Sequence, residues 1–223
     1  MSVLRRATEL AEVHLATIGD RPVGATTGYE DVIAALDEPL PEHGEAPVAV
    51  IEQLAAVAGP ATVASPGPRY FGFVTGGVLP AALAADWLTS TWDQNAFTRV
   101  SSPAAAAIEA VAERWVLDVL DLPHDSAVGF TTGATMGNFT CLAAARHAVL
   151  AREGWDVEAD GMSGAPEIRV FVGEHVHASL LVALRYLGLG PARALRIPAE
   201  RGAMRADALA DALTDGPTIV RGG

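Results

Sequence analysis

From about residue 127 onward, short runs of β-branched and small apolar residues alternate with longer stretches whose apolar positions recur at helical spacing. The pattern predicts a strand at Ala127–Thr131, a helix at Thr135–Glu153, a strand at Ile168–Val172 and a helix at Ala178–Leu187. A strand at Ala194–Ile197, a helix at Arg205–Leu213 and an apolar stub at Pro217–Val220 follow. Strands separated by helices cannot pair as tight hairpins, so this order predicts an α/β fold with a parallel sheet covered on its faces. Thr218-Ile219-Val220 opens what reads as a further buried strand, and Arg221-Gly222-Gly223 follows at once. The expectation is therefore an α/β domain interrupted part-way through its sheet.

The first part of the chain has a different texture. Leu4, Ala7, Leu10, Ala11 and Leu15 stand near helical spacing, and Gly19 with Pro22 ends that pattern. Residues 21–70 are rich in proline and glycine, with one short helix expected around Val48–Val57, which suggests an arm that wraps another body. Pro80 opens a helix through Ser90, and Ser102-Pro103 is a cap and first-turn signal for another that runs to Leu120. The domain boundary is expected near residue 95, with a helical arm at 1–95 and the α/β region at 96–223. No internal repeat is present.

Composition narrows the partners. Half of the 223 residues are hydrophobic and 19% are charged, with a mean hydropathy of +0.27. That is oily for a lone soluble chain; either apolar surface awaits a partner or the value simply reflects abundant alanine. The net charge of −12 argues against nucleic acid or an anionic membrane, which are held by clustered positive charge. Polar and acidic residues interrupt the start MSVLRRATELAEVHLATIGD where a signal peptide needs an apolar stretch, and Glu52, Asp86 and Glu113 break the later apolar runs. Cys141 is the single cysteine, so a disulfide within the chain is impossible. A cytoplasmic location is the expectation. All fifteen basic residues are arginine; lysine occurs nowhere.

Three stretches could carry chemistry. The first, GFTTGATMGNFTCLAAARH from Gly129 to His147, sets a small-residue turn between a predicted strand and a predicted helix. Unpaired amides at such a helix start, aided by the macrodipole and a hydroxyl such as that of Thr135, suit a phosphate. Gly133 and Gly137 equally suit a tight turn with close helix packing. The dipole contributes about 0.3–1 kcal/mol, whereas micromolar binding needs roughly 8 kcal/mol, so the turn alone cannot hold a ligand. A Walker A loop is excluded by the missing lysine, and Gly188-Leu189-Gly190 runs into Pro191 without a third glycine.

The second stretch, GEHVHASLLVALRYLGLG from Gly173 to Gly190, places His177 between a strand and a helix, at the strand end where α/β proteins bind ligands. Glu174, His175 and His177 lack a further ligand at metal-binding spacing, so no metal is expected. The third, Pro68 to Glu109, gathers Tyr70, Phe71, Phe73, Trp87, Trp92 and Phe97 around Asn95 and Arg99. Such a cluster packs a core or subunit interface, or lines a small-molecule pocket.

In this order and at these separations, PRYFGFVTGG, TTGATMGNFTCLAAAR and HVHASLLVAL resemble the group II pyridoxal-phosphate (PLP) dependent decarboxylases, which include the glutamate, tyrosine and aromatic amino-acid enzymes. The resemblance runs from about Pro39 to the end. It implies a partial fold-type-I, aminotransferase-like large domain behind a helical N-terminal arm, a homodimer, and α-decarboxylation of an L-amino acid through an external aldimine. It implies that Gly133, Ala134 and Thr135 bind the cofactor phosphate and that His177 stacks on the pyridine ring as the catalytic residue. Phe71, Phe73 and Asn95 fall where members line the substrate pocket, at the boundary with the second subunit. Met136 and Gly137 depart from the Glu-Ala of many members, so the substrate does not carry over.

The larger departure is absence. The chemistry requires a lysine to hold the cofactor as a Schiff base and an aspartate to keep its ring nitrogen protonated. This sequence has no lysine and no matching Asp-x-Ala segment. The expectation is a chain that stops before the lysine and is inactive alone. The alternatives are a non-catalytic PLP-binding or dimerising regulatory remnant, and a hydrolase, for which no Gly-x-Ser-x-Gly elbow is present.

Overall fold

The structure is a computed structural model that describes residues 2–222. The chain divides into two compact units, Met1–Asn95 and Ala96–Gly223.

The first unit is helical: α1 (Val3–Thr17), α2 (Tyr29–Leu36), α3 (Pro47–Ala58) and α4 (Pro80–Trp92). Ser2 caps α1 by accepting the Arg5 amide, and Pro47 and Pro80 open α3 and α4, where a missing N–H costs nothing. α2 lies inside the stretch expected to be irregular; Asp31 starts it by accepting the Gly28 amide at 3.3 Å. Polar links tie the irregular segments down. Arg21 donates to the Gly59 carbonyl at 2.9 Å and reaches His14 Nδ1 at 3.0 Å, and the Ala64 amide donates to the Val23 carbonyl at 3.0 Å. Ala64 is the one buried apolar residue among those described in this unit, so its helices leave much apolar surface uncovered.

The second unit begins with α5 (Pro103–Val119), capped by Ser102, whose Oγ accepts the Ala105 amide. The α/β region follows: α6 (Ala134–Arg152), α7 (Val157–Asp160), β1 (Arg169–Gly173), α8 (Ala178–Tyr186) and β2 (Leu195–Ile197). A two-stranded antiparallel ladder of β3 (Ala199–Glu200) and β4 (Ala203–Met204), then α9 (Ala206–Ala212) and β5 (Thr218–Arg221), complete it. The main sheet has the order β2-β1-β5 and is parallel throughout, which is the α/β arrangement the sequence predicts.

The central strand carries the core. Val170, Phe171 and Val172 are 3%, 0% and 0% exposed, so successive side chains are buried on opposite faces, as a parallel strand requires. Val170 and Val172 pack with Leu142, Val149 and Leu150 of α6, Leu180, Ala183 and Leu184 of α8, and Ile219 of β5.

One predicted strand is corrected. Ala127–Thr131 is irregular: a strand exists only through its ladder, and this segment pairs with neither outer edge of the β2-β1-β5 sheet. The other predicted helices and strands of this unit begin and end within a residue or two of their expected bounds, whereas α7, β3 and β4 were not anticipated.

Leu184 is fully buried, so Leu184→Ala is expected to destabilise the chain by about 2–5 kcal/mol. Urea unfolding followed by circular dichroism measures this.

Candidate functional site

Helices α6 and α8 lie side by side and are joined at two levels. Near their starts Asn138 Nδ2 donates to Ser179 Oγ at 3.0 Å. Two turns on, Arg146 Nη1 donates to the Leu187 carbonyl at 3.1 Å, satisfying the C-terminal end of α8 with a cation. Both links span 41 residues, so the two helices run parallel and in register. Their N-termini therefore open together, at the carboxyl end of β1, where ligands bind in open α/β sheets.

At the start of α6, Gly133 is the N-cap with φ 163° and ψ 175°, an extended conformation. The first intrahelical bond runs from the Gly137 amide to the Gly133 carbonyl at 3.0 Å, so the amides of Ala134, Thr135 and Met136 precede the helical ladder. No acidic residue stands in the first turn of α6 or α8, so nothing there opposes an anion. A Cβ built on Gly133 would meet nothing within 4 Å, which leaves open space above the turn. The turn can accept a phosphate-sized anion on backbone amides.

His177 is the N-cap of α8. Its Nδ1 accepts the Ser179 amide at 3.2 Å and stands 2.8 Å from Ser179 Oγ. The imidazole is exposed while Ser179 is buried, so the ring is tethered at one nitrogen and accessible elsewhere. The loop before it is pinned as well: Glu174 Oε2 accepts the Ala199 amide at 3.0 Å, and Arg196 donates to the Glu174 carbonyl at 2.8 Å.

The structure thus brings the turn at Gly133, Ala134 and Thr135 and the residue His177 to neighbouring helix starts. Phe71, Phe73 and Asn95 belong to the first unit. Phe71 and Phe73 are 93% and 96% exposed, so no wall of that unit closes over them. Asn138 and Ser179 are the residues that sequence reasoning missed as a pair. His177-Ala178-Ser179 carries a local capping signal, but nothing in the sequence couples Asn138 to it. Ser179 is a poor nucleophile candidate, since its hydroxyl is buried and engaged by Asn138 and by the helix cap.

Comparison with known proteins assigns the family. The pyridoxal-dependent decarboxylase conserved domain matches residues 30–217, and the chain belongs to that family. Over 142 residues it is 30% identical to tryptophan decarboxylase 1 of Oryza sativa subsp. japonica, an alignment covering 59% of this chain and 27% of that protein. Among solved structures, mouse CSAD matches with a TM-score of 0.84 at 21% identity, covering 98% of this chain and 47% of that one. Oryza sativa TDC with PLP matches with a TM-score of 0.79 at 24% identity, covering 94% and 46%. The fold is that of these enzymes, and the chain spans about half the length of the solved structures it matches. Pyridoxal phosphate is the cofactor of the family. Among the described residues no helix is long and apolar enough to cross a membrane.

Proposed function

We propose that this chain supplies the phosphate and ring contacts of a pyridoxal-phosphate site in an amino-acid decarboxylase, and that it cannot anchor the cofactor covalently. The observation that supports the first half is the pairing of the α6 and α8 N-termini through Asn138 and Ser179. It sets an anion-binding turn beside a tethered imidazole, and both suit a phosphorylated aromatic aldehyde.

When bound, pyridoxal phosphate supplies an electron sink for the pair left as the bond from Cα to the carboxylate breaks. The chain's own residues bind and orient. The amides of Ala134 and Thr135 and the Thr135 hydroxyl hold the phosphate, and the α6 dipole favours its charge. His177 would contact the ring of the cofactor. Phe71, Phe73 and Asn95 are proposed to face the substrate at a subunit boundary.

Anchoring is a matter of inventory. No lysine occurs at any of the 223 positions, so a Schiff base to a lysine side chain requires a residue outside them. Contacts alone then hold the cofactor, and binding is reversible and weak. The same absence favours a second reading, in which the chain binds PLP or dimerises without catalysis.

The apolar residues that the first unit exposes, among them Leu4, Val13, Phe71, Trp87 and Trp92, suit burial against a second copy. A homodimer is the expected assembly, an amino acid the expected substrate class and the cytoplasm the expected compartment, in keeping with a lone cysteine.

Gly133→Asp separates binding from folding. Aspartate is a good N-cap in extended backbone and has room here, so the variant is expected to keep or raise the stability of α6. Its carboxylate occupies the phosphate position. PLP affinity, read by fluorescence titration, is expected to fall at least about tenfold, a loss of about 1.4 kcal/mol. Pyridoxal without its phosphate is expected to bind the unaltered chain just as weakly. Equal affinity for PLP and pyridoxal would remove the turn from the site. Sedimentation equilibrium checks the assembly: a dimer is expected, and a monomer at tens of micromolar would contradict it.

A further inference from the structure

Ser179 is 8% exposed, and two of its groups address one atom, Nδ1 of His177. Its backbone N–H can only donate, and at 3.2 Å it does so to Nδ1, which must therefore present a lone pair. Its hydroxyl, 2.8 Å from the same nitrogen, can donate or accept. Asn138 decides which. Its Nδ2 donates to Ser179 Oγ at 3.0 Å, so an oxygen lone pair is used and the hydroxyl proton is free to point at Nδ1. Two donors thus converge on one ring nitrogen, and in a neutral imidazole the hydrogen bond at one nitrogen sets which nitrogen carries the proton.

We infer that Asn138 and Ser179 are positioning residues for His177, which fix the plane of its imidazole and hold the neutral ring as the Nε2–H tautomer. The bond from Asn138 crosses from α6 to α8, so the orientation of the ring is referenced to the helix that starts at the phosphate turn. A cap confined to α8 could set the tautomer; it could not tie the ring to the turn at Gly133. The purpose of this arrangement rests on the proposed cofactor site, whereas the tautomer is a property of the chain with nothing bound.

The test is long-range ¹H–¹⁵N correlation of the ¹⁵N-labelled chain without PLP, at a pH where the imidazoles are neutral. The signal among the six histidines that disappears in His177→Gln identifies the residue. The unaltered chain is expected to show Nδ1 at its unprotonated limit. Asn138→Asp keeps the shape but turns the donor into an acceptor, so the Ser179 hydroxyl swings toward it and Nδ1 loses one of its two donors. The Nδ1–H population is then expected to rise roughly fivefold, the effect of one hydrogen bond of ordinary net strength. Ser179→Ala is expected to do the same, and Ser179→Thr, which keeps the hydroxyl, to restore the original signal. A predominant Nδ1–H tautomer in the unaltered chain would overturn the inference, whether or not any variant folds. Unchanged tautomer ratios in folded Asn138→Asp and Ser179→Ala would also overturn it. Because no cofactor is present, either failure leaves the PLP titrations standing, and failure of those titrations leaves the tautomer result standing.

Discussion

The burial of β1 on both faces is the constraint from which the rest of this region follows. A strand reading Arg-Val-Phe-Val-Gly has no polar face to offer water, so helices must cover it, and α6 and α8 supply much of that cover through Leu142, Leu150, Leu180 and Leu184. Two helices packed on one sheet can still slide along each other. The paired bonds at a separation of 41 residues remove that freedom and bring two helix N-termini level at the carboxyl end of the strand. The proposed cofactor site depends on that level pairing, because a turn that binds the phosphate and an imidazole that meets the ring would be useful only at a set distance from each other.

Much of this fold was legible because helical periodicity and capping chemistry are local. α6 and α8 begin within a residue of their predicted starts, since Gly133 and His177 mark the change from extended to helical backbone. The predicted strand at Ala127–Thr131 did not form, since apolar composition sets a strand's potential but only pairing with a neighbour makes it a strand, and this segment joins no ladder. The β3–β4 turn escaped notice for a different reason. Arg201 and Gly202 take φ values of 52° and 82°, as a two-residue hairpin needs, yet arginine stands where asparagine or aspartate would announce it. The turn at Gly133 and the position of His177 could be read from sequence. The bond from Asn138 to Ser179 could not, because side chains on two helices meet only after the core has packed.

The two units differ in what they bury. The α/β unit holds a continuous apolar core, whereas the described residues of the first unit bury Ala64 and leave aromatic and aliphatic side chains open. The apolar residues that the first unit leaves open are those proposed to be covered by a second copy. The missing lysine fits the same picture. On the proposed reading these residues hold and orient the cofactor, and the lysine that would anchor it is absent from them.

The most direct test is chemical. The only primary amine available in these 223 residues is the α-amino group of Met1. Incubation with PLP, borohydride reduction, intact-mass measurement and peptide mapping should give no adduct except one on that terminal amine. A stoichiometric adduct at any internal residue would contradict the central claim, that this chain builds the cradle of the cofactor and lacks its anchor.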